Sequence, residues 1–403
     1  MSASVFATIQ ELQWQPILIT VIVIILTSTR FTNILKGQLQ KRKLQSIIQS
    51  TRSTDSSKVS SANAGSTGIQ VSSIHVHPIK SLRAISLSST RLTDLGLEGD
   101  RTLMLVRPSS STGKHRFLTQ RQCPILATIN TSIPVTTTDG SDNTTKITIS
   151  HSESKQGVEV DITPSSLLSN PLRYKAGLWD DIVEVVDLGD EAASFFHSIL
   201  ASCYNEDAVE NAHADDYNDV RLVAQLPQPE RRVDGRYCPP ATLDILGRVP
   251  KVSLTDGFPI LIASEASLNE LNRRLKSKGK PAINMNRFRA NIVVKGDTLS
   301  AFEEDEWKAI QIGGEYGPIL HVVKGCPRCK QSCTDQMTGE KFEEPLETLK
   351  EFRALGKNAE DVYFAQNVVL QPGMGGKEIC VGDQVRVLTR GAPVWDMGSV
   401  QAE

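Results

Sequence analysis

The sequence predicts a mostly β chain with two or three packed helices, an α+β fold, behind an apolar N-terminal segment. Three observations predict it: short runs alternating apolar and polar residues from Val71 onward, two clear amphipathic helical windows, and an uncharged stretch between Glu11 and Arg30. The chain has 403 residues, 22% of them charged, and a net charge of -2. That length allows two or three domains, and the charge balance excludes the basic footprint of a nucleic-acid binder.

The apolar stretch comes first in the chain. LQWQPILITVIVIILTST has an almost purely aliphatic centre from Ile17 to Leu26, and as a helix it reaches roughly 27 Å at about 1.5 Å per residue. A cleavable signal peptide wants a basic region before the apolar run and a small-residue cleavage site after it. Here no Lys or Arg precedes the run, and Ser28, Thr29 and Arg30 follow it. Residues 12–29 are therefore expected to be a transmembrane anchor. Arg30, Lys36, Lys41, Arg42 and Lys43 all lie on its C-terminal side, which places the rest of the chain in the cytosol. Residues 30–70 read as a basic flank and a Ser-rich tether, too poor in large apolar residues to build a core.

From Val71 the runs VSSIHVHPI, AISLSSTRL, RTLMLV, ILATINTSI, KITIS and VEVDI alternate between turn-forming residues and read as short strands of a barrel or sandwich. Asp190 ahead of EAASFFHSILASCY and Ser264 ahead of EASLNELNRRLKSK are expected helix caps. Between these helices, the acidic stretch 205–219 reads as a solvated loop. Further strands are expected in FRANIVV, AIQIG and ILHVV. EICVGDQVRVLT reads as a last strand pair with a tight turn at Gly382-Asp383.

Seven cysteines is an odd number, and Cys123, Cys203, Cys238 and Cys380 are scattered singly, which argues against a disulfide framework and for a reducing compartment. The other three, Cys326, Cys329 and Cys333, cluster in GCPRCKQSCTD. Structural zinc wants four ligands, and only His321 and Cys380 are available at a distance to complete a set. An iron-sulfur cluster also prefers four thiolates. A thioredoxin-type pair should open a helix, whereas this one follows the strand ILHVV. Simple packing of thiols under a loop is the remaining reading. What the cluster does offer is Cys329 between Arg328 and Lys330. Such a setting favours thiolate and suits an anionic ligand, as a metal carried by a phosphorylated cofactor would require. Lys80 and Ser81 in HPIKS, Arg101 before TLML, and Arg289 and Asn291 in NRFRAN are further anion-binding candidates.

Together these motifs resemble the MOSC family, the β-barrel domains related to the C-terminal part of molybdenum cofactor sulfurase. The resemblance covers roughly residues 71 to 390, through HPIKS, GLEGDR, LTQRQCPILATI, LWDDIVEVVDLGDEAASFF, GFPILIASEASLNELN, NRFRANIVV, CPRC, EPLETLKEFR and VGDQVRVL. It implies a MOSC N-terminal β-barrel domain at 71–195, a MOSC domain at 210–390 and a bound molybdenum-molybdopterin cofactor. Cys329 would be the protein ligand to molybdenum. Lys80, Ser81, Arg101, Gly257, Phe258, Arg289, Asn291, Pro327, Arg328 and Asn367 would contact the cofactor, and Asp335 takes the place of a family aspartate near the metal; either Asp335 or solvent would supply protons. Cys326 and Cys333 become neighbours. After the ligand cysteine the family shows Thr-Thr-Val-Asp-Pro-Asp-Thr-Gly, where this chain has Ser332 to Gly339 as SCTDQMTG, so the rim of the substrate pocket is expected to differ.

The implied activity is reduction of N-hydroxylated small molecules, such as amidoximes and hydroxylamines. The chain has no C-x-x-C-H haem attachment and no strand-G-x-G-x-x-G-helix unit, and GMGG at 373–376 precedes a strand. Cytochrome b5 and NADH-cytochrome b5 reductase are the implied electron donors, at the mitochondrial outer membrane. The alternatives are a non-catalytic cofactor carrier and a sulfurtransferase-related protein. The sulfurases pair this domain with a pyridoxal-phosphate aminotransferase-like half, for which the segment ahead of residue 71 is expected to be too short.

Overall fold

Alternation along the chain becomes an eight-stranded sheet, a closed five-stranded barrel, two smaller sheets of four and three strands and a few helices in the computed structural model, which describes residues 68–108, 114–139, 142–201, 219–227, 229, 231–235, 238 and 240–395. The expected anchor at 12–29, the tether up to residue 67, most of the acidic stretch and Cys203 lie outside the described residues. No helix among the described residues is long and apolar enough to cross a membrane.

Eight strands form the large sheet, in the order Ile85–Leu87, Gln70–Val76, Ile292–Lys295, Ile260–Ser264, Val362–Leu370, Ile319–Arg328, Trp307–Ile312 and Val385–Arg390. One face buries Val71, Ile74, Ile262, Ile292, Trp307 and Val368 together. The other carries the helix Glu265–Ser277, whose Leu271 and Leu275 pack with Phe288, Leu349 and Phe364. Ser264 caps this helix as expected, its hydroxyl accepting from the Ser267 N–H.

Five strands close a barrel: Arg173–Leu178, Asp181–Asp187, Arg221–Gln225, Leu103–Pro108 and His115–Phe117, the first and last pairing in parallel. Closure removes the exposed edges that an open sheet of this size would present. Met104, Val106, Phe117, Ala176, Val185 and Val223 form one core cluster, and Phe195 and Phe196 of the helix Asp190–Leu200 join another with Leu105 and Leu222. Asp190 is the first helical residue here, and Gly189 at φ 96° precedes it in the cap position. A left-handed φ of this size suits glycine.

Two further expectations need correction. Within ILATINTSI, the residues up to Thr128 form the 3-10 turn Pro124–Thr128 before the strand Ile129–Thr131, because Pro124 leads the segment without an N–H for a ladder. Glu378–Cys380 and Val385–Arg390 are strands but not partners: the first pairs with Ser89–Thr93 and the second with Trp307–Ile312. Gly382 at φ 92° and the Asp383 carboxylate, which accepts from Cys380 N–H at 2.8 Å, redirect the chain between the two sheets.

Each of the segments 71–195 and 210–390 lends a strand to the other's sheet system. The strand Gln70–Val76 lies inside the large sheet beside Ile292–Lys295, while Arg221–Gln225 sits between two strands of the barrel. Burial explains both positions. Val71 and Ile74 are fully buried in the large sheet, and Leu222 and Val223 are fully buried in the barrel.

Candidate functional site

The large sheet ends its strands where the barrel begins, and the residues at those ends surround one pocket. About 810 Å³ of empty space lies there, open solvent at the mouth included. Lys80 and Ser81 leave the strand Gln70–Val76, Arg101 leads into Leu103–Pro108, and Gly257 and Phe258 lead into Ile260–Ser264. Arg289 and Asn291 precede Ile292–Lys295, Pro327 and Arg328 close the long strand Ile319–Arg328, Cys329 follows it, and Asn367 lies on its neighbour. All of these expected site residues line the pocket.

The backbone at this junction is strained. Ser81, Arg101 and Arg289 have φ of 71°, 47° and 55°, a region that costs a non-glycine residue about 1 kcal/mol or more. The long strand breaks register between Gly325 and Pro327, so Cys326 is the extra residue of a bulge against the strand Val362–Leu370. Bulges re-aim side chains, and this one sits just before Cys329, which is exposed.

Fixed hydrogen bonds hold the cationic wall. Asn291 is buried; its amide oxygen accepts from Leu261 N–H at 3.1 Å and from Arg101 at 3.2 Å, and its amide nitrogen donates to the His75 carbonyl. Asn291 therefore ties strands together and positions Arg101. Arg101 also donates to Asp100 at 2.6 Å and to the Arg289 carbonyl. Burial alone would raise the Asp100 carboxyl, but Arg101 and His77 hold it down at about 2. Buried Lys80 pairs with Asp256 and donates to the Leu254 carbonyl at 3.0 Å. Arg328 donates to Cys326 Sγ at 3.0 Å and to the Phe288 carbonyl at 2.9 Å.

Arg289 differs from these. It is buried and donates through Nη1 to Gln336 at 3.1 Å, while its Nη2 has no partner. Burial and the like charges of Arg101 and Arg328 push it down to about 9, against the opposing pull of Asp100 and Asp256. Arg328 Nε and Thr255 Oγ1 are also buried without partners. Lining the pocket are Lys80, Arg101, Arg121, Arg289 and Arg328 against one carboxylate, Asp256. Buried donors left unpaired are costly, so this wall is built to receive acceptors bearing negative charge, next to an exposed soft sulfur.

Asp335, one of the two expected proton sources, does not line the pocket. Its carboxylate accepts from Met337 N–H at 2.8 Å and Thr338 N–H at 3.2 Å, and pairs with Arg287 at 3.0 Å. Burial would raise it, but those N–H groups and Arg287 lower it below the usual carboxylate value. A carboxylate so engaged stays ionised and shapes a turn. Cys333 is buried with its thiol donating to the Glu343 carbonyl, and His321 bonds to Gln371. Among the described residues no three His, Cys, Asp or Glu side chains converge as a metal cage.

Thr119, Arg121, Thr255, Asp256, Leu261, Phe288, Cys326 and Gln331 also line the pocket. Of these, Asp256 had a legible signal, since it directly precedes the expected contact Gly257. Arg121 comes from a turn that follows the barrel strand His115–Phe117, inside the motif LTQRQCPILATI, where nothing singled it out from its neighbours.

Two family descriptions match the chain: the MOSC N-terminal beta barrel domain at residues 68–202 and the MOSC domain at residues 249–386. Mitochondrial amidoxime reducing component 2 of Bos taurus is 30% identical over 298 residues, covering 73% of this chain and 75% of that one. Mitochondrial amidoxime-reducing component 1 of Homo sapiens is 29% identical over 329 residues, covering 79% and 82%. Molybdenum cofactor sulfurase of Aspergillus terreus is 26% identical over 352 residues, covering 79% of this chain and 40% of that protein. The chain thus spans less than half the length of that sulfurase.

Proposed function

The chain belongs to the MOSC family, and on that premise we propose that its pocket holds a molybdenum-molybdopterin cofactor and that the protein is an N-reductase. The observation that carries the reading is the buried, unpartnered Nη2 of Arg289, in a wall of five cations beside the exposed Cys329. A phosphorylated, metal-bearing group fits this donor set, because it offers anionic oxygens to the guanidinium groups and a soft metal to the thiol. Cys329 would ligate the metal, and Arg289, Arg328 and Lys80 would hold the phosphate and pterin. Asn291 would fix Arg101 in place.

When bound, the cofactor supplies the two-electron reduction that takes oxygen from an N-hydroxylated substrate, such as an amidoxime or hydroxylamine, with water as the other product. The chain's own contribution is binding and orientation. Among the lining residues Asp256 is committed to Lys80, and Asp335 lies elsewhere, so protons are drawn from solvent through the open mouth. Electrons would come from cytochrome b5 and NADH-cytochrome b5 reductase. Residues 12–29 would anchor the chain in the mitochondrial outer membrane with its catalytic unit in the cytosol, and a shared membrane raises the effective concentration of such donors.

The test expresses the full chain in a host that makes the cofactor and measures molybdenum and pterin in wild type and Cys329→Ala. The variant is expected to lose molybdenum; retention would remove Cys329 as the ligand. Adding NADH, cytochrome b5, its reductase and benzamidoxime to wild type is expected to give turnover. A metal-loaded but inert protein would instead favour a carrier. The similarity to sulfurases keeps a sulfurtransferase-related role as the second reading, which predicts sulfur exchange at the cofactor without N-reduction.

A further inference from the structure

Arg121 lines the pocket, yet no carboxylate among the described residues pairs with it. The turn that carries it is locked. Thr119 N–H and hydroxyl both donate to the Gln122 side chain at 3.0 Å, and the Gln122 and Cys123 N–H groups donate to the Thr119 carbonyl. Gln120 points inward, fully buried, donating to the Ser81 carbonyl at 2.7 Å and exchanging hydrogen bonds with Gln336 at 3.1 and 2.9 Å. With Gln120 fixed inside, its neighbour Arg121 is held at the pocket.

Trp179 supplies the aim. It sits in the two-residue turn between Arg173–Leu178 and Asp181–Asp187 at φ 57°, a strained conformation for a tryptophan. Its indole N–H donates to Asp256 at 3.0 Å, its ring leans on Phe117 at 5.2 Å, and Asp256 is in turn held by Lys80. The Arg121 guanidinium lies 4.6 Å from the centre of this ring. A guanidinium held against an aromatic face keeps its N–H fork free to donate in its own plane, the geometry that reads carboxylate and phosphate.

We propose that Arg121, aimed by Trp179, binds an oxyanion of the pocket's occupant. The group is a phosphate or carboxylate, belonging either to the cofactor or to an acidic N-hydroxylated substrate; this deepens the reading above and rests on it for the identity of the occupant. The first arm uses the full chain from a host that lacks the cofactor and titrates pyrophosphate at low salt by calorimetry. Arg121→Gln is expected to bind it on the order of tenfold more weakly, Arg121→Lys to recover part of the loss, and Trp179→Leu to weaken it severalfold at a temperature where the variant is fully folded. Equal affinity for wild type and Arg121→Gln overturns the proposal.

The second arm uses the chain from a cofactor-making host. Lower pterin content in Arg121→Gln assigns the oxyanion to the cofactor. Unchanged content with a raised KM for 4-carboxybenzamidoxime, and not for benzamidoxime, assigns it to the substrate. Unchanged content with both KM values unchanged overturns the proposal. If wild type takes up no cofactor while pyrophosphate binding still depends on Arg121, the N-reductase reading fails and the anion site stands.

Discussion

Gly325→Ala is expected to destabilise the protein by about 2 kcal/mol through a clash with Trp395. A Cβ at Gly325 would lie 2.5 Å from Trp395 Cε3, 2.6 Å from Cζ3 and 3.1 Å from the Tyr363 ring. Carbon pairs prefer roughly 3.5–4.0 Å, so the indole must retreat by about 1 Å. Its neighbours restrict that retreat. It leans on Tyr363 with centroids 5.2 Å apart and carries Arg353 at 5.2 Å, and Arg353 is itself clamped to Asp305 at 2.7 and 3.1 Å. Either the ring stays and the strand is overpacked, at roughly 1–3 kcal/mol, or it leaves and its packing is lost at similar cost. Cys326 follows Gly325 directly, so molybdenum content is expected to fall as well. The assay is urea unfolding followed by tryptophan fluorescence, on Gly325→Ala, Trp395→Ala and the double variant. Removing the indole removes the clash, so the double variant is expected to cost at least about 1 kcal/mol less than the sum of the two. Strict additivity, or a Gly325→Ala midpoint equal to wild type, would refute the steric argument.

Cys329→Ser should abolish molybdenum binding while changing stability by no more than about 0.5 kcal/mol, because the side chain is exposed; Cys326→Ser should retain the metal, as elemental analysis of both will report. Asp335→Asn should cost about 1 kcal/mol at neutral pH, through its lost pair with Arg287 and weakened turn. Because the folded Asp335 carboxyl sits below its ordinary value, its contribution is present above that value and lost as pH falls through the folded one, so the gap between variant and wild type should close in acid. The pH profile of turnover should keep its shape in this variant. Glu304 is fully buried with one carboxyl oxygen unpartnered, and burial raises it to about 7 against the hydrogen bond from Ser267, with Asp305 adding to the rise. The folded state therefore keeps a proton that the unfolded chain has released, and stability falls as pH rises from about 4.5 to 7. Glu304→Gln should flatten that fall, worth on the order of 3 kcal/mol, in denaturation midpoints across this range.

Much of the site was legible because its residues sit in short motifs at strand ends. HPIKS, NRFRAN and CPRC each carry their own turn or strand signal, and adjacent parallel and antiparallel strands bring their ends to one place. Motif order cannot say which way a turn carboxylate faces, and the N–H groups of Met337 and Thr338 claim Asp335. Arg121 and Trp179 were missed because their meeting depends on barrel closure, a contact between turns with no shared periodicity. The same limit applies to pairing. Alternation identifies Glu378–Cys380 and Val385–Arg390 as strands, but a period of two carries no information about partners.

The exchange of strands between the barrel and the large sheet sets an order on synthesis. Gln70–Val76 is made early, yet the Asn291 amide that donates to its His75 carbonyl lies 216 residues downstream. The barrel, for its part, waits for Arg221–Gln225, which belongs to neither family-matched segment. A nascent chain therefore holds this apolar strand against only the short Ile85–Leu87 for more than half of its translation, and loop-closure entropy must be met before its other edge finds Ile292–Lys295. Neither half can be transplanted as a cassette: a fragment ending at residue 202 would leave the barrel with a gap, and one beginning at 249 would lack the strand that extends the large sheet beyond Ile292–Lys295.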